Sequence, residues 1–226
     1  MTEPISPWGL WLGLLGPDEL EALPTEGLGW LGVDLQHGRY EVTHLPGLLR
    51  VARVPVLARA ASQSGDHLAR VLDTGVAGVI VPGVVSVSQT EALVQAVRFP
   101  PEGVRSTGVT RSVLTGGPGR PLLLPMVETR GALEEVEAIA ALPGVDGVFV
   151  GPYDLSLSLG RSSVVDEEVV RAIVLVHRAA RHARVLCGVF SGNRELDPLL
   201  PDDLDLVALD TDVTVLREGM RAVLGR

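Results

Sequence analysis

Short, continuously apolar runs recur along the chain, separated by stretches in which apolar residues return every three or four positions. The runs Trp8–Leu14, Gly29–Leu35, Val54–Ala60, Gly78–Pro82, Leu122–Val127, Gly147–Gly151, Val185–Phe190 and Asp205–Leu209 predict eight strands. Their near-continuous hydrophobicity is what strands buried on both faces require, since a strand with one wet face would alternate with polar residues. The stretches between them predict helices. Pro17–Leu23 opens on proline and acids, which suit a helix N-terminus. Ser64–Asp73, Ser88–Arg98, Arg130–Leu142, Asp166–Ala183 and Asp212–Leu224 carry the amphipathic period. Eight strands alternating with helices in 226 residues predict an α/β protein, a single-domain (β/α)8 TIM barrel over residues 1–226. The rival is a doubly wound open sheet, and no Gly-x-Gly-x-x-Gly follows the first strand to support it. Between Phe99 and Arg120 the pattern breaks at two turn-forming clusters, Phe99-Pro100-Pro101-Glu102-Gly103 and Gly116-Gly117-Pro118-Gly119, which predict a loop over one barrel end.

Composition narrows the chemistry. The net charge is −9 and the basic residues are scattered singly, so no stripe exists for a nucleic-acid backbone. All 19 basic residues are arginine; there is no lysine. That excludes Schiff-base and pyridoxal chemistry, which need a lysine amine, and a Walker-type phosphate loop. The single cysteine, Cys187, lies in an apolar run and reads as a buried structural thiol. Met1-Thr2-Glu3-Pro4 lacks the basic start of a signal peptide, and no apolar stretch approaches the ~20 residues that span a bilayer. The chain is expected to be soluble and cytoplasmic, with no membrane partner.

In a barrel the chemistry gathers where strands end and βα loops begin. The polar residues there are Asp34, Gln36 and His37 after the second strand, Arg59 on the third, Glu128 after the fifth and Asp154 a few residues after the sixth. Two carboxylates from neighbouring strands admit three readings: a general acid and base, a chelate for a hard divalent cation, or a Glu128–Arg59 salt bridge that merely closes the barrel. The arginine favours the second, because its planar fork suits a small carboxylate or a developing oxyanion. The remaining polar residues have plainer expectations. His44 reads as a surface or cap residue and His67 as solvent-facing. His177 and His182, five apart, do not share a helix face. Asp146 belongs at the start of the sixth strand, and Asp210 and Asp212 cap the last helix.

Several stretches resemble the HpcH/HpaI aldolase family. Gly32-Val33-Asp34-Leu35-Gln36-His37-Gly38 is similar to its Asp-x-(Glu/Gln)-His-Gly element, and Val54-Pro55-Val56-Leu57-Ala58-Arg59 to its arginine-bearing third strand. Gly78–Pro82 and Arg98–Gly103 match further signatures. The most specific match is Met126-Val127-Glu128-Thr129 followed by Gly144–Ser156, and the resemblance spans roughly residues 8 to 224. It implies a metal-dependent carbon–carbon lyase, a class II aldolase that cleaves a 4-hydroxy-2-keto acid to pyruvate and an aldehyde with Mg²⁺, Mn²⁺ or Co²⁺. By position, Glu128 and Asp154 would hold the metal and Arg59 would steady the enolate. His37, oriented by Asp73, would move protons. Trp11, Gly151, Pro152 and Tyr153, with the backbone amides around Tyr153 and Asp154, would bind the keto acid. The family also implies a homo-oligomer, typically a hexamer. Two departures stand out: Met126 replaces a frequent glutamine, and 111–120 is shorter than the segment that elsewhere carries a helix over the active-site mouth. The alternatives are a citrate-lyase-like acyl-CoA ester lyase, for which no basic cluster is visible, and a non-catalytic keto-acid binder.

Overall fold

The computed structural model describes residues 6–225. The Met1–Pro4 stretch read against a signal peptide lies outside them. Eight parallel strands close into a barrel in sequence order: β1 (Trp8–Leu12), β2 (Trp30–Asp34), β3 (Val56–Arg59), β4 (Gly78–Val81), β5 (Leu122–Val127), β6 (Gly147–Val150), β7 (Leu186–Phe190) and β8 (Leu206–Thr211). All eight predicted strands are present. β5 shows why they read as unbroken apolar runs. Leu124 and Met126 point into the barrel with Trp11, Trp30, Ile80 and Phe149, whereas Leu123 and Val127 join the layer between strands and helices. Both faces are dry, so polar alternation has no place. The interior accepts large rings because glycines face them: a Cβ on Gly32 would stand 2.6 Å from the Trp11 ring.

The helices are α1 (Pro17–Ala22), α2 (Leu45–Val51), α3 (Gly65–Asp73), α4 (Val87–Val97), α5 (Arg111–Leu114), α6 (Arg130–Glu134), α7 (Val136–Ala141), α8 (Pro152–Ser158), α9 (Glu167–Ala183) and α10 (Asp212–Val223). The segment predicted as one helix over 130–142 is two. Glu135 stands in the break, where its carboxylate accepts from the Val87 N–H at 2.6 Å. Helices α2 and α8 were not predicted: both are seven residues long with proline in the first turn, too short to display a period. Among the described residues no helix is long and apolar enough to cross a membrane.

Several outlying residues have structural duties. Asp146 precedes β6, where it pairs with Arg98 and accepts from the Leu123 N–H at 2.7 Å. Cys187 is fully buried, and burial pushes its thiol up to about 12. His44 accepts from the Glu41 N–H at 2.8 Å in a capping box. His67 is not solvent-facing as expected; it is half-buried, with Nε2 accepting from the Ala61 N–H at 3.2 Å. Asp212 is not the cap of the last helix. Thr211 caps α10 by accepting from Thr214, while Asp212, 1 % exposed, accepts from the backbone N–H groups of Gly13, Leu14 and Leu15.

The 99–120 segment lies over one barrel end, as expected, and carries the short helix α5. It joins the C-terminus of α4 to the start of β5, so it lies at the N-terminal end of the barrel, away from its own mouth. There α5 packs on the end of α3, with Arg111 donating to the Thr74 carbonyl at 2.6 Å.

Candidate active site

Register assembles the site. In the β2–β3 ladder Asp34 stands directly opposite Arg59. Their cross-strand pair is a fork: Nε donates to Oδ1 at 2.9 Å and Nη2 to Oδ2 at 2.5 Å. Asp34 Oδ1 also accepts from the N–H groups of Gln36 and His37, at 3.0 and 3.1 Å. Burial pushes the Asp34 carboxyl up, but the hydrogen bond and charge of Arg59 and those two amides outweigh it and hold it below the usual value. One buried carboxylate therefore fixes both the guanidinium and the start of the exposed loop that bears His37. The Arg59 guanidinium lies over the Trp11 ring, its Cζ 5.4 Å from the centroid. Asp34 lines the candidate site, a place that the sequence alone does not mark. It stood among the strand-end polar residues, and only the β2–β3 register gives it a partner.

The β5–β6 ladder pairs Val127 with Val150 and continues as the Gly151 N–H donates to the Val127 carbonyl at 3.3 Å. Glu128 and Gly151 thus leave their strands side by side, so close that a Cβ on Gly151 would meet Glu128 Oε2 at 2.8 Å. Glu128 is 7 % exposed. Its Oε1 accepts from the Gly83 N–H at 2.5 Å, but Oε2 is buried without a partner. Burial raises the Glu128 carboxyl above its usual value and the charge of Asp154 adds to this; the Gly83 amide, Arg59 and His37 oppose it. Asp154 itself is exposed, in the first turn of α8. The salt-bridge reading is thereby corrected: Arg59 pairs with Asp34, and among the described residues no cationic side chain is bound to Glu128.

Between these groups lies a cavity of about 200 Å³ lined by Trp11, Asp34, Arg59, Met126, Gly151, Pro152, Tyr153, Asp154, Phe190 and Thr211. Phe190 and Thr211 were not anticipated. Phe190 packs between Trp11 and Tyr153, with ring centroids 5.7 and 6.2 Å away, and nothing in an apolar β7 run distinguishes an inward ring at the rim from one in the core. Asp73 does not join the site. It ends α3 at the opposite end of the barrel, because helices run antiparallel to strands, and it accepts from Arg105 Nη2 at 2.6 Å. The expected His37–Asp73 partnership is therefore not formed within this chain. Among the described residues no group of three or more His, Cys, Asp and Glu side chains gathers at one point; the acidic rim offers two carboxylates.

A closed parallel barrel whose C-terminal rim joins a small cavity, an arginine fork and an acidic pair has the build of a barrel enzyme. The chain matches the HpcH/HpaI aldolase/citrate lyase family over residues 8–218 and belongs to it. It is 36 % identical to a hydroxypyruvate/pyruvate aldolase of Deinococcus radiodurans, over 95 % of this chain and 83 % of that one. It is 34 % identical to another of Pseudomonas aeruginosa, over 96 % and 87 %. A solved family member from Burkholderia cenocepacia superposes with a TM-score of 0.87 at 28 % identity, covering 99 % of this chain and 95 % of that one. The protein is accordingly an enzyme of carbon–carbon bond chemistry, a lyase of the aldolase type.

Proposed function

We propose that this protein is a divalent-metal-dependent aldolase that cleaves a 4-hydroxy-2-keto acid to pyruvate, or a close analogue of it, and an aldehyde. The observation that carries this reading is Glu128 Oε2, a buried and unpartnered carboxylate oxygen beside a second carboxylate. Buried charge without a partner is costly, and a cation between Glu128 and Asp154 would relieve it, so the donor set fits a hard ion such as Mg²⁺, Mn²⁺ or Co²⁺. When bound, such an ion supplies Lewis acidity that eases negative charge on a 2-keto oxygen.

The protein's own groups account for the rest. Asp34 occupies Nε and Nη2 of Arg59, which leaves the Nη1 edge for the substrate's keto oxygen, held at a fixed angle. Trp11, Met126, Pro152 and Phe190 exclude water from the cavity. The N–H groups of Tyr153 and Asp154, in the first turn of α8, suit the keto acid's carboxylate. His37, exposed at the start of the loop held by Asp34 and outside the cavity lining, would take the 4-hydroxyl proton. Arg59 is the only cation lining the cavity among the described residues, and Asp34 neutralises it, so the rim has no surplus positive charge for the phosphates of an acyl-CoA ester. The relatives named as hydroxypyruvate/pyruvate aldolases support a small 2-keto donor.

Protein stripped with EDTA and resupplied with Mn²⁺ or Mg²⁺ should cleave 4-hydroxy-2-keto acids and exchange the methyl protons of pyruvate with solvent. Exchange no faster than in metal-free protein would sink this reading. Arg59→Lys, which keeps the charge but loses the fork, should lower kcat about 10²- to 10³-fold while leaving Mn²⁺ affinity unchanged.

The face of α10 supports a homo-oligomer. Its only buried residue is Asp212, and Val213, Leu216, Met220 and Val223 form an exposed apolar stripe at helical spacing. One copy leaves this stripe in water, whereas association removes it. Sedimentation equilibrium should give a mass several times the monomer's 23.9 kDa, reduced by the double variant Leu216→Glu, Met220→Glu. A monomeric parent would refute the assembly.

A further inference from the structure

The turn between β4 and α4 holds one end of Glu128. Gly83, in that turn, has φ +69°, a left-handed geometry that costs glycine little and other residues more. Its N–H meets Glu128 Oε1 while Oε2 has no partner. That single bond sets the plane of the carboxylate and decides which oxygen is left for a cation. We infer that Gln63 and Gln89 are positioning residues for Glu128: together they strap the 82–85 turn and so hold the Gly83 amide on the carboxylate.

The strap is a closed relay. The Val85 N–H donates to Gln89 Oε1 at 2.8 Å, Gln89 Nε2 donates to Gln63 Oε1 at 2.5 Å, and Gln63 Nε2 donates to the Pro82 carbonyl at 2.7 Å. Both amide orientations are fixed by its ends. A backbone N–H requires an oxygen at one end and a carbonyl requires an N–H at the other, so the middle link has a donor facing an acceptor. The relay begins and ends on the turn's own backbone, bracketing Gly83 and Val84. Thr129 Oγ1, beside Glu128, donates to the Val84 carbonyl at 2.7 Å and ties the turn from its other side.

Neither glutamine is among the residues lining the cavity, so neither touches substrate. Gln63 lies in the β3–α3 connection four residues after Arg59, and Gln89 in the first turn of α4. The strap therefore spans the two connections that flank the acidic rim on the Arg59 side. With the relay cut, the 82–85 turn gains freedom and the Gly83 amide is no longer held in place. Glu128 then has no fixed plane, and the repulsion of Asp154 is free to turn it away.

This inference rests on the metal-site reading above, and Mn²⁺ binding to the whole protein, followed by the EPR signal of the free ion, separates the two. Gln63→Met and Gln89→Met should each weaken Mn²⁺ binding about tenfold, as loss of an outer partner of a metal ligand does. The double variant should be no weaker than about tenfold either, because one strap is cut in both cases. At saturating Mn²⁺ the KM for the keto acid should not move. Gln63→Glu, which keeps the shape and reverses only the Pro82 end, should reproduce the loss if a methionine variant fails to fold. Singles that bind Mn²⁺ as tightly as the parent, or a double variant weakened about a hundredfold by independent effects, would overturn the strap and leave the metal site standing. A parent that binds no Mn²⁺ would overturn the metal site and the strap with it.

Discussion

Glu128→Gln should make the metal-free protein more stable while removing its response to metal. Burial disfavours the charged form of this carboxylate, and Oε2 has no partner to offset that cost. A neutral amide of the same shape keeps an acceptor for Gly83 and relieves about 1–2 kcal/mol, or about 2–8 °C in melting temperature for a chain of this size. The pH dependence has a definite sign. Burial raises the Glu128 carboxyl above its ordinary value, so its contribution to stability is fully present below the unfolded-state pKa and is lost as pH rises through the folded value. The gap between variant and parent should accordingly open above the ordinary carboxylate range and close below about pH 4. Adding Mn²⁺ should reverse the order at neutral pH, because the parent gains stability in proportion to the logarithm of metal concentration and the variant does not. Differential scanning fluorimetry across pH, with and without Mn²⁺, gives all of this. A variant that melts below the metal-free parent at pH 7 would remove the case for an uncompensated carboxylate.

Asp212→Ala should carry the largest stability loss, about 3–5 kcal/mol, because four backbone N–H groups, those of Gly13, Leu14, Leu15 and Val213, would lose a buried, charged acceptor at once. At this chain length that corresponds to a fall of about 6–20 °C in melting temperature. The bonds from Gly13, Leu14 and Leu15 join the start of α10 to the turn after β1, across the seam where the first and last strands close the barrel. Asp212→Asn should recover part of the loss, since an amide keeps one oxygen acceptor and replaces the other with a donor facing an N–H. Thermal melts and urea titration measure both variants, and an alanine variant within about 1 kcal/mol of the parent would show that the seam does not depend on this carboxylate.

The barrel was legible because its cause is local. Strands buried on both faces have to be continuously apolar, so Leu122–Val127 and its seven counterparts stand out whatever their partners. The helix over 130–142 was half legible: amphipathic spacing continues through Glu135, and only the proximity of α4 offers that carboxylate the Val87 amide that marks the break. The helices at 45–51 and 152–158 were not legible, because two turns of chain display no period.

The lyase chemistry was legible in part. The absence of lysine removed covalent amine catalysis outright, and the residue types at the strand ends limited what the rim could hold. By itself, then, the sequence determined the fold class and the alphabet of the site: carboxylates, an arginine, a histidine and no amine. The tertiary structure decided who meets whom. It gave Arg59 to Asp34 rather than to Glu128, sent Asp73 to the far end with Arg105, brought Phe190 to the rim, and left one oxygen of Glu128 bare. The reason is register. Hydrophobic pattern fixes which residues face inward, because burial depends on each residue's own side chain. Hydrogen-bonded pairing between strands far apart in the chain fixes which polar ends come together, and no local signal records it.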